Sequence, residues 1–368
     1  MRIFPTHELT EIVNGFSSQT SSILLKDSKK NSVYSPISLY IALSMLREMA
    51  DGETKLKLDE FLNVGDINLA NAIKNLVENE HAKDGLVVTN SYWVDGVFKD
   101  DLNPEYLKIL NDNFYAHVFA TDFNDDDSYE DIDNWALKTT KGMIKLNSKE
   151  TLKDIDLKSV LLNAVYYEST WIEKFEESNN YIDTFYGVSK DNPDTEFMTQ
   201  TTEDGYFYEG DSYKAAQLLM KNGSIHFILP SEGSSPQELL SNEDFLTDYI
   251  NVVMKSGELT INLPKFEIES SYDELLRDLD LTETLGQGAD LSHAFTTNMD
   301  GFISKIAQKA KIIVNEEGAK AAAVTEISDK AEEKPSEDKM TLNLNRPFLF
   351  LITLNTQEIV FVGNVVDL

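Results

Sequence analysis

Side chains able to do chemistry are sparse in this chain, and their spacing suits no familiar reaction. There is no cysteine, which excludes disulfides, thiolate zinc sites and a cysteine nucleophile. The run Asp122-Phe-Asn-Asp-Asp-Asp-Ser-Tyr-Glu130 is rich enough in carboxylates to invite a calcium reading. A calcium-binding EF-hand loop needs glycine at its sixth position and glutamate at its twelfth, where this chain has Asp127 and Asp133. A solvated acidic loop is the simpler expectation. His7-Glu8 is not followed by a second histidine at zinc-protease spacing, no Gly-x-Ser-x-Gly turn is present, and Gly286-x-Gly288 continues to Leu291 where a phosphate-cradling loop has glycine. The histidines His7, His81, His117, His226 and His293 are scattered singly and read as structural or exposed. Asn222-Gly-Ser224 is formally a glycosylation sequon, but Asn222-Gly223 as a two-residue hairpin turn explains it more economically. No metal, no cofactor and no enzyme activity are expected from these residues.

One stretch near the C-terminus is patterned for backbone pairing instead. Val314-Asn315-Glu316-Glu317-Gly318-Ala319-Lys320-Ala321-Ala322-Ala323-Val324-Thr325 comes after an apolar run, passes two carboxylates and a glycine, and enters a row of small residues. From Glu326 to Lys339 the chain is charged and contains a proline, and a strand pattern resumes at Met340-Thr341-Leu342. Two strands around a long polar excursion mean a surface loop, and loops beyond about 12–15 residues are uncommon unless functional or disordered. Three readings stay open. Alanine with glutamate and lysine favours a short surface helix; the polarity of the later part favours a solvated linker; and the alternation favours a strand in waiting. At period two, Ala319, Ala321, Ala323 and Thr325 share one face, and Lys320, Ala322, Val324 and Glu326 share the other. The first face is small enough to be buried between existing strands.

The elements that must carry this stretch are legible in outline. At 368 residues, with 41% hydrophobic and 10% aromatic residues, the chain can bury a sizeable core as one large domain or two ordinary ones. Its formal net charge of -32 argues against nucleic acid, anionic membranes and heparin-like polyanions as partners. No run reaches the roughly 18 apolar residues of a spanning helix. Met1-Arg2-Ile3-Phe4-Pro5-Thr6 lacks the apolar region of a signal peptide, so the protein stays in the cell or has lost a leader. Residues 6–25 have helical spacing at Leu9, Ile12, Val13 and Phe16. Asn31 to Ser38 reads as a short strand ended by Pro36, and Leu39 to Met49 as a buried helix apolar on nearly all sides. Val87 to Val94, Tyr206 to Tyr208, Ala215 to Met220, Ile225 to Pro230 and Leu259 to Phe266 read as strands. Asn103 to Leu110 reads as a helix with proline at its start.

Several of these stretches resemble one family. Asn315-Glu-Glu-Gly-Ala-Lys-Ala-Ala-Ala-Val-Thr325 is similar to the hinge of the serpins, usually Asn-Glu-Glu-Gly-Thr-Glu-Ala-Ala-Ala-Ala-Thr. The stretch from Asn31 through Ser35-Pro36-Ile37-Ser38 to Thr54 resembles the family's strand, Ser-Pro-x-Ser and core helix, with Met49 where glycine is usual. Asn90-Ser91, Ile132-Asp-Asn-Trp135, Leu161-Leu-Asn-Ala-Val-Tyr166, Trp171, Leu263-Pro-Lys-Phe266 and Asn345-Arg-Pro-Phe348 also resemble family motifs, in order along the chain, with Glu168-Ser169 where Lys-Gly is usual. The likeness is to the inhibitory type, as met in prokaryotic members.

That resemblance implies a fold, a mechanism and a set of site residues. The implied fold is α+β: a single serpin domain over 1–368, with a large mixed β-sheet, two smaller sheets, about eight or nine helices and an exposed reactive-centre loop at about 316–341. The implied function is suicide inhibition of a serine-type endopeptidase, trapped as an acyl-enzyme while the cut loop inserts into the central sheet. A non-inhibitory serpin acting as a binding or chaperone module is the alternative; the small hinge residues favour inhibition. By the same resemblance Glu316, Glu317, Gly318, Ala319, Ala321, Ala322, Ala323 and Thr325 form the hinge, and Glu316 with Lys265 and Trp171 clamps the top of the sheet. Ser35, Ser38 and Asn163 match a central polar cluster in which Gln308 replaces the family's usual histidine, so the cluster cannot titrate. Counting fourteen residues from Gly318 puts the scissile bond after Glu332, before Glu333, with Glu333–Lys334 and Lys330–Ala331 also open. The implied partner is a serine protease preferring Glu or Asp, or else a cysteine protease, met by a monomer. The resemblance implies an extracellular place, and the absence of a signal peptide from this sequence leaves the cytoplasm open.

Overall fold

The computed structural model describes residues 6–81, 86–152, 157–297, 303–319 and 338–368. The chain forms two compact units, each built from separated stretches: 1–16, 35–166 and 270–311 in the first, and 17–34, 167–269 and 312–368 in the second. Neither unit is a contiguous segment, and the chain passes between them in mid-helix (Thr6–Leu24) and in mid-strand (Lys305–Asn315). The described residues hold eleven α-helices, five of them only four to six residues long.

In the first unit, helix Pro36–Met49 is buried along almost its whole length. It begins at Pro36, three residues before the expected Leu39. Proline is tolerated in the first turn, where its missing N–H has no partner to lose, and the Ser35 hydroxyl accepts the Ser38 N–H as N-cap. The strands stand in the order His117–Thr121, Leu86–Asp95, Ser159–Tyr167 and Lys305–Asn315, and the last two run parallel from Val160 opposite Lys305 to Val165 opposite Ala310. Over one face of that pair, helix Asp126–Thr139 packs through Tyr129, Ile132, Trp135 and Ala136 on Val160, Leu162, Ala164 and Ala307. The acidic run before this helix serves its start: Asp122 accepts from Asn124, and Asp125 caps the helix through the Asp127 N–H. Among the described residues no group of three or more acidic or histidine side chains could hold a metal ion.

The second unit carries a nine-stranded mixed sheet, ordered Ser32–Tyr34, Ile359–Val365, Phe348–Thr353, Gly223–Pro230, Tyr213–Met220, Asp191–Glu209, Lys255–Pro264 and Lys339–Asn343, with Tyr181–Tyr186 added on Asp191–Glu209. The long strand Asp191–Glu209 pairs by one end with Tyr181–Tyr186 and by the other with Tyr213–Met220. It thereby joins groups of strands, expected as separate sheets, into one continuous ladder. Gly223–Pro230, Phe348–Thr353 and Ile359–Val365 are buried throughout, and their core includes the rings of Phe227, Phe266, Phe348 and Phe350. The hairpin turn is Lys221-Asn222, since Gly223 already pairs with Met220. Gly223 is required for close approach instead: at φ 149 a Cβ would lie 2.0 Å from the Thr353 carbonyl oxygen.

Candidate functional site

The residues singled out by the sequence gather at two places. In the second unit, strand Lys305–Asn315 ends in a turn at Glu316-Glu317, and the chain returns antiparallel, with Ala319 opposite Val314 and Gly318 opposite Asn315. The other edge of this two-residue strand is also paired, Gly318 with Thr170 and Ala319 with Ser169. Gly318 and Ala319 therefore lie between two strands, and the described part of the stretch is a strand end, a turn and a short returning strand rather than helix or linker. Gly318 has φ 145, and a Cβ there would meet the Ser169 carbonyl oxygen at 2.2 Å, so the position excludes any side chain. Ala319 is 1% exposed. Ala321, Ala322, Ala323, Thr325, Glu332 and Glu333 lie outside the described residues.

The turn is held by a short segment of aromatic residues. Trp171 donates its indole N–H to Asn315 O at 2.8 Å and its backbone N–H to Glu317 O at 3.1 Å, and the Phe175 N–H reaches Glu316 O at 3.3 Å. The two rings meet edge to face at 5.9 Å. The Glu316 carboxylate takes Lys265 Nζ at 2.6 Å and Asn180 Nδ2 at 2.5 Å. Lys265 also reaches Glu196 Oε1 at 2.9 Å, and Asn180 donates to the same carboxylate at 3.0 Å, so one ammonium and one amide bridge two carboxylates. Burial pushes the Glu316 carboxyl up, and the hydrogen bonds from Lys265 and Asn180 outweigh it, leaving the pKa below its ordinary value. Glu196 is likewise held down, chiefly by its hydrogen bond from Lys265. Lys174 pairs with Glu317. Lys265, Glu316 and Trp171 thus meet around one turn. Sequence reasoning missed Asn180, Glu196 and Lys174, for no spacing links them to the hinge.

In the first unit, Ser35, Ser38, Asn163 and Gln308 form one hydrogen-bonded cluster. Gln308 accepts from the Ser35 N–H at 2.9 Å and donates through Nε2 to Ser35 O at 3.0 Å and Asn163 Oδ1 at 2.8 Å. Asn163 donates through Nδ2 to the Ser38 hydroxyl at 2.6 Å and to Asn90 Oδ1 at 2.7 Å. Asn163 and Gln308 are direct register partners on the parallel strands. Asn90 is a member the sequence reading did not assign, although Asn90-Ser91 had marked its strand. All five side chains are neutral amides or hydroxyls, so the cluster carries no titration.

Neither place assembles a nucleophile with a base, and what both offer is backbone: a strand end seated between neighbours, and a parallel pair fastened by a polar cross-link. A sequence-family model described as Serpin (serine protease inhibitor) matches residues 11–368. Serpin-Z2B of Triticum aestivum is 29% identical over 359 residues, covering 92% of this chain and 90% of the relative. Among solved structures, Serpin48 of the insect Tenebrio molitor superimposes with a TM-score of 0.85 at 25% identity, covering 100% of both chains. Human thyroxine-binding globulin in complex with thyroxine superimposes at 0.81 with 21% identity, covering 98% of this chain and 99% of that one, a likeness of fold alone. The family match spans nearly the whole sequence, and it accords with the α+β architecture and the large mixed sheet; the chain belongs to the serpin family.

Proposed function

We propose that this serpin inhibits a serine-type endopeptidase as a suicide substrate, by inserting its cleaved loop between the strands Ser159–Tyr167 and Lys305–Asn315. The observation that carries the reading is the seating of Gly318 and Ala319, paired on both edges to strands that continue as, or directly follow, that parallel pair. An inserted strand would run on antiparallel to both neighbours. One parallel ladder would then become two antiparallel ones, with roughly ten new hydrogen bonds at about 1 kcal/mol net each. Ala319, Ala321, Ala323 and Thr325 would face inward with little volume to accommodate. The clamp of Glu316, Lys265 and Trp171 fixes where entry starts, and the cluster of Ser35, Ser38, Asn163 and Gln308 is what must part as it proceeds.

Counting fourteen residues from Gly318, we take the target bond as Glu332–Glu333, with Glu333–Lys334 and Lys330–Ala331 as alternatives, and an acidic cleavage residue suits a protease preferring acidic side chains. Lys334-Pro335 is a poor bond for most proteases, which speaks against Lys334 as the cleavage residue. Asp329 would face inward on the inserting register, and a buried unpaired carboxylate costs several kcal/mol, so insertion is expected to stop near it. The experiment is incubation with Glu-specific, trypsin-like and elastase-like proteases, read by SDS gel and by thermal melts before and after cleavage. An SDS-stable band at the combined mass is the expected result. Cleavage with no rise in melting temperature would sink insertion and leave a binding module.

A further inference from the structure

Strand Tyr181–Tyr186, on the rim of the large sheet, turns apolar side chains to solvent. Ile182 is 60% exposed and Tyr186 52%, and Val188, two residues past the strand, is 49% exposed. At period two Ile182, Thr184 and Tyr186 share one face, and Val188 continues the spacing. The other face is fixed in the core: Phe185 is fully buried with its ring edge-on to Phe348 at 6.5 Å, and Tyr181 stacks on Phe197 at 5.6 Å. A slip of one residue would bury the apolar column only by expelling Phe185, so its exposure is built into the register. On the neighbouring strand Glu196 stands opposite Ile182, and Asp191 opposite Tyr186. Residues 176–196 hold six carboxylates and one lysine. Asp183, Asp191 and Asp194 are exposed and form no ion pair among the described residues. Exposed apolar side chains gathered in one place with a polar rim mark an interaction surface.

We infer that this column and its acidic border are a second contact surface for the target protease, apart from the loop it cuts; the role rests on the inhibitory reading above. The column starts at the clamp. Glu196, opposite Ile182, shares Lys265 and Asn180 with Glu316, where the loop leaves. The loop returns as Lys339–Asn343, and between its two ends lie four strands in the order Tyr181–Tyr186, Asp191–Glu209, Lys255–Pro264 and Lys339–Asn343. Three strand spacings of about 4.8 Å make that stretch about 14 Å wide, so a protease seated on the loop is held within reach of the column. An apolar column bordered by free carboxylates fits a surface of apolar side chains flanked by lysine or arginine. A second copy of this chain would be repelled by the net charge of -32 that both carry. The surface therefore selects, among proteases able to cut the loop, those with a cationic and apolar patch beside the active site, and it acts on the encounter and not on insertion.

The test uses the full chain with the Glu-specific, trypsin-like and elastase-like proteases, and follows each that gives an SDS-stable band with the wild type. The second-order rate of complex formation is measured across a range of ionic strength. Ile182→Ser with Tyr186→Ser is expected to lower that rate about tenfold. Asp191→Lys with Asp194→Lys should lower it several-fold at low salt and flatten its salt dependence. The number of inhibitor molecules consumed per protease trapped should stay at the wild-type value, because it reports the race between insertion and deacylation. Unchanged rates in both double variants, where the wild type traps the protease, would overturn the contact surface and leave inhibition standing. An unchanged rate with a raised consumption of inhibitor would also overturn it, since the strand would then serve the hinge alone. No band with any protease would overturn inhibition and the contact surface together. Should the serine variant fail to fold, the aspartate variant decides, for both of its side chains lie in solvent.

Discussion

Replacing Gln308 by leucine keeps roughly the volume of a side chain that is 1% exposed, and removes all its hydrogen bonds at once. The bonds lost are those with the Ser35 N–H, Ser35 O and Asn163 Oδ1. Ser35 O still accepts from the Leu39 N–H at 3.1 Å, so two groups are left orphaned, the Ser35 N–H and Asn163 Oδ1. Each buried orphan costs about 1–3 kcal/mol, and the apolar leucine returns about 1–2 kcal/mol. At the middle of these ranges the net loss is about 2.5 kcal/mol, a large share of the 5–15 kcal/mol typical of a folded protein. Equilibrium urea unfolding at neutral pH, followed by far-ultraviolet circular dichroism, measures it as a lower midpoint at unchanged slope. Because Gln308 and Asn163 face each other on the strands that would part, uptake of a synthetic peptide with the sequence of residues 319–332 should quicken in the same variant. A loss below about 1 kcal/mol would refute the reasoning, since the stranded groups would then have found water or new partners. Gln308→His should recover part of the loss and introduce a pH dependence that the wild-type cluster lacks.

His226 and Gly318 give two further tests. The His226 imidazole is buried among Tyr249, Ser224 and Thr353, and burial lowers its pKa to about 3. A depressed histidine favours the fold above its ordinary value of 6.5. The unfolded chain takes up the proton first, so stability is lost as pH falls through that value towards the folded pKa. Going from about pH 8 to about pH 5 should cost roughly 2 kcal/mol in urea unfolding, and a His226→Asn variant with the same pH slope would show that another group is responsible. In Gly318→Ala, the new Cβ meets Ser169 O at 2.2 Å on a backbone of φ 145 that L-residues rarely adopt. Strain of roughly 1–3 kcal/mol should open the pairing with Ser169 and Thr170. Hydrogen exchange at 318–319 and 169–170 would then rise, and unchanged protection would count against the seating of the hinge.

What the sequence determined about this protein is what neighbours along the chain decide. Gly318 with small residues after it at period two marks a segment fit to be a buried strand, because both signals are local. Ser35-Pro36 marks a helix start for the same reason, although the expected start at Leu39 overlooked that a first-turn proline continues into the helix. Strand Tyr181–Tyr186 and the first part of Asp191–Glu209 gave no such signal: they are largely exposed, and only pairing with each other and with Lys255–Pro264 makes them strands. Only the tertiary structure brought Asn180 and Glu196 to Glu316, 136 residues from Asn180 along the chain. It alone decided that Lys305 and Lys309, which composition would place in water, lie inside. An ammonium can be buried where folding supplies a carbonyl to receive it, and here those carbonyls belong to Thr151 and Lys145, 154 and 164 residues earlier in the chain.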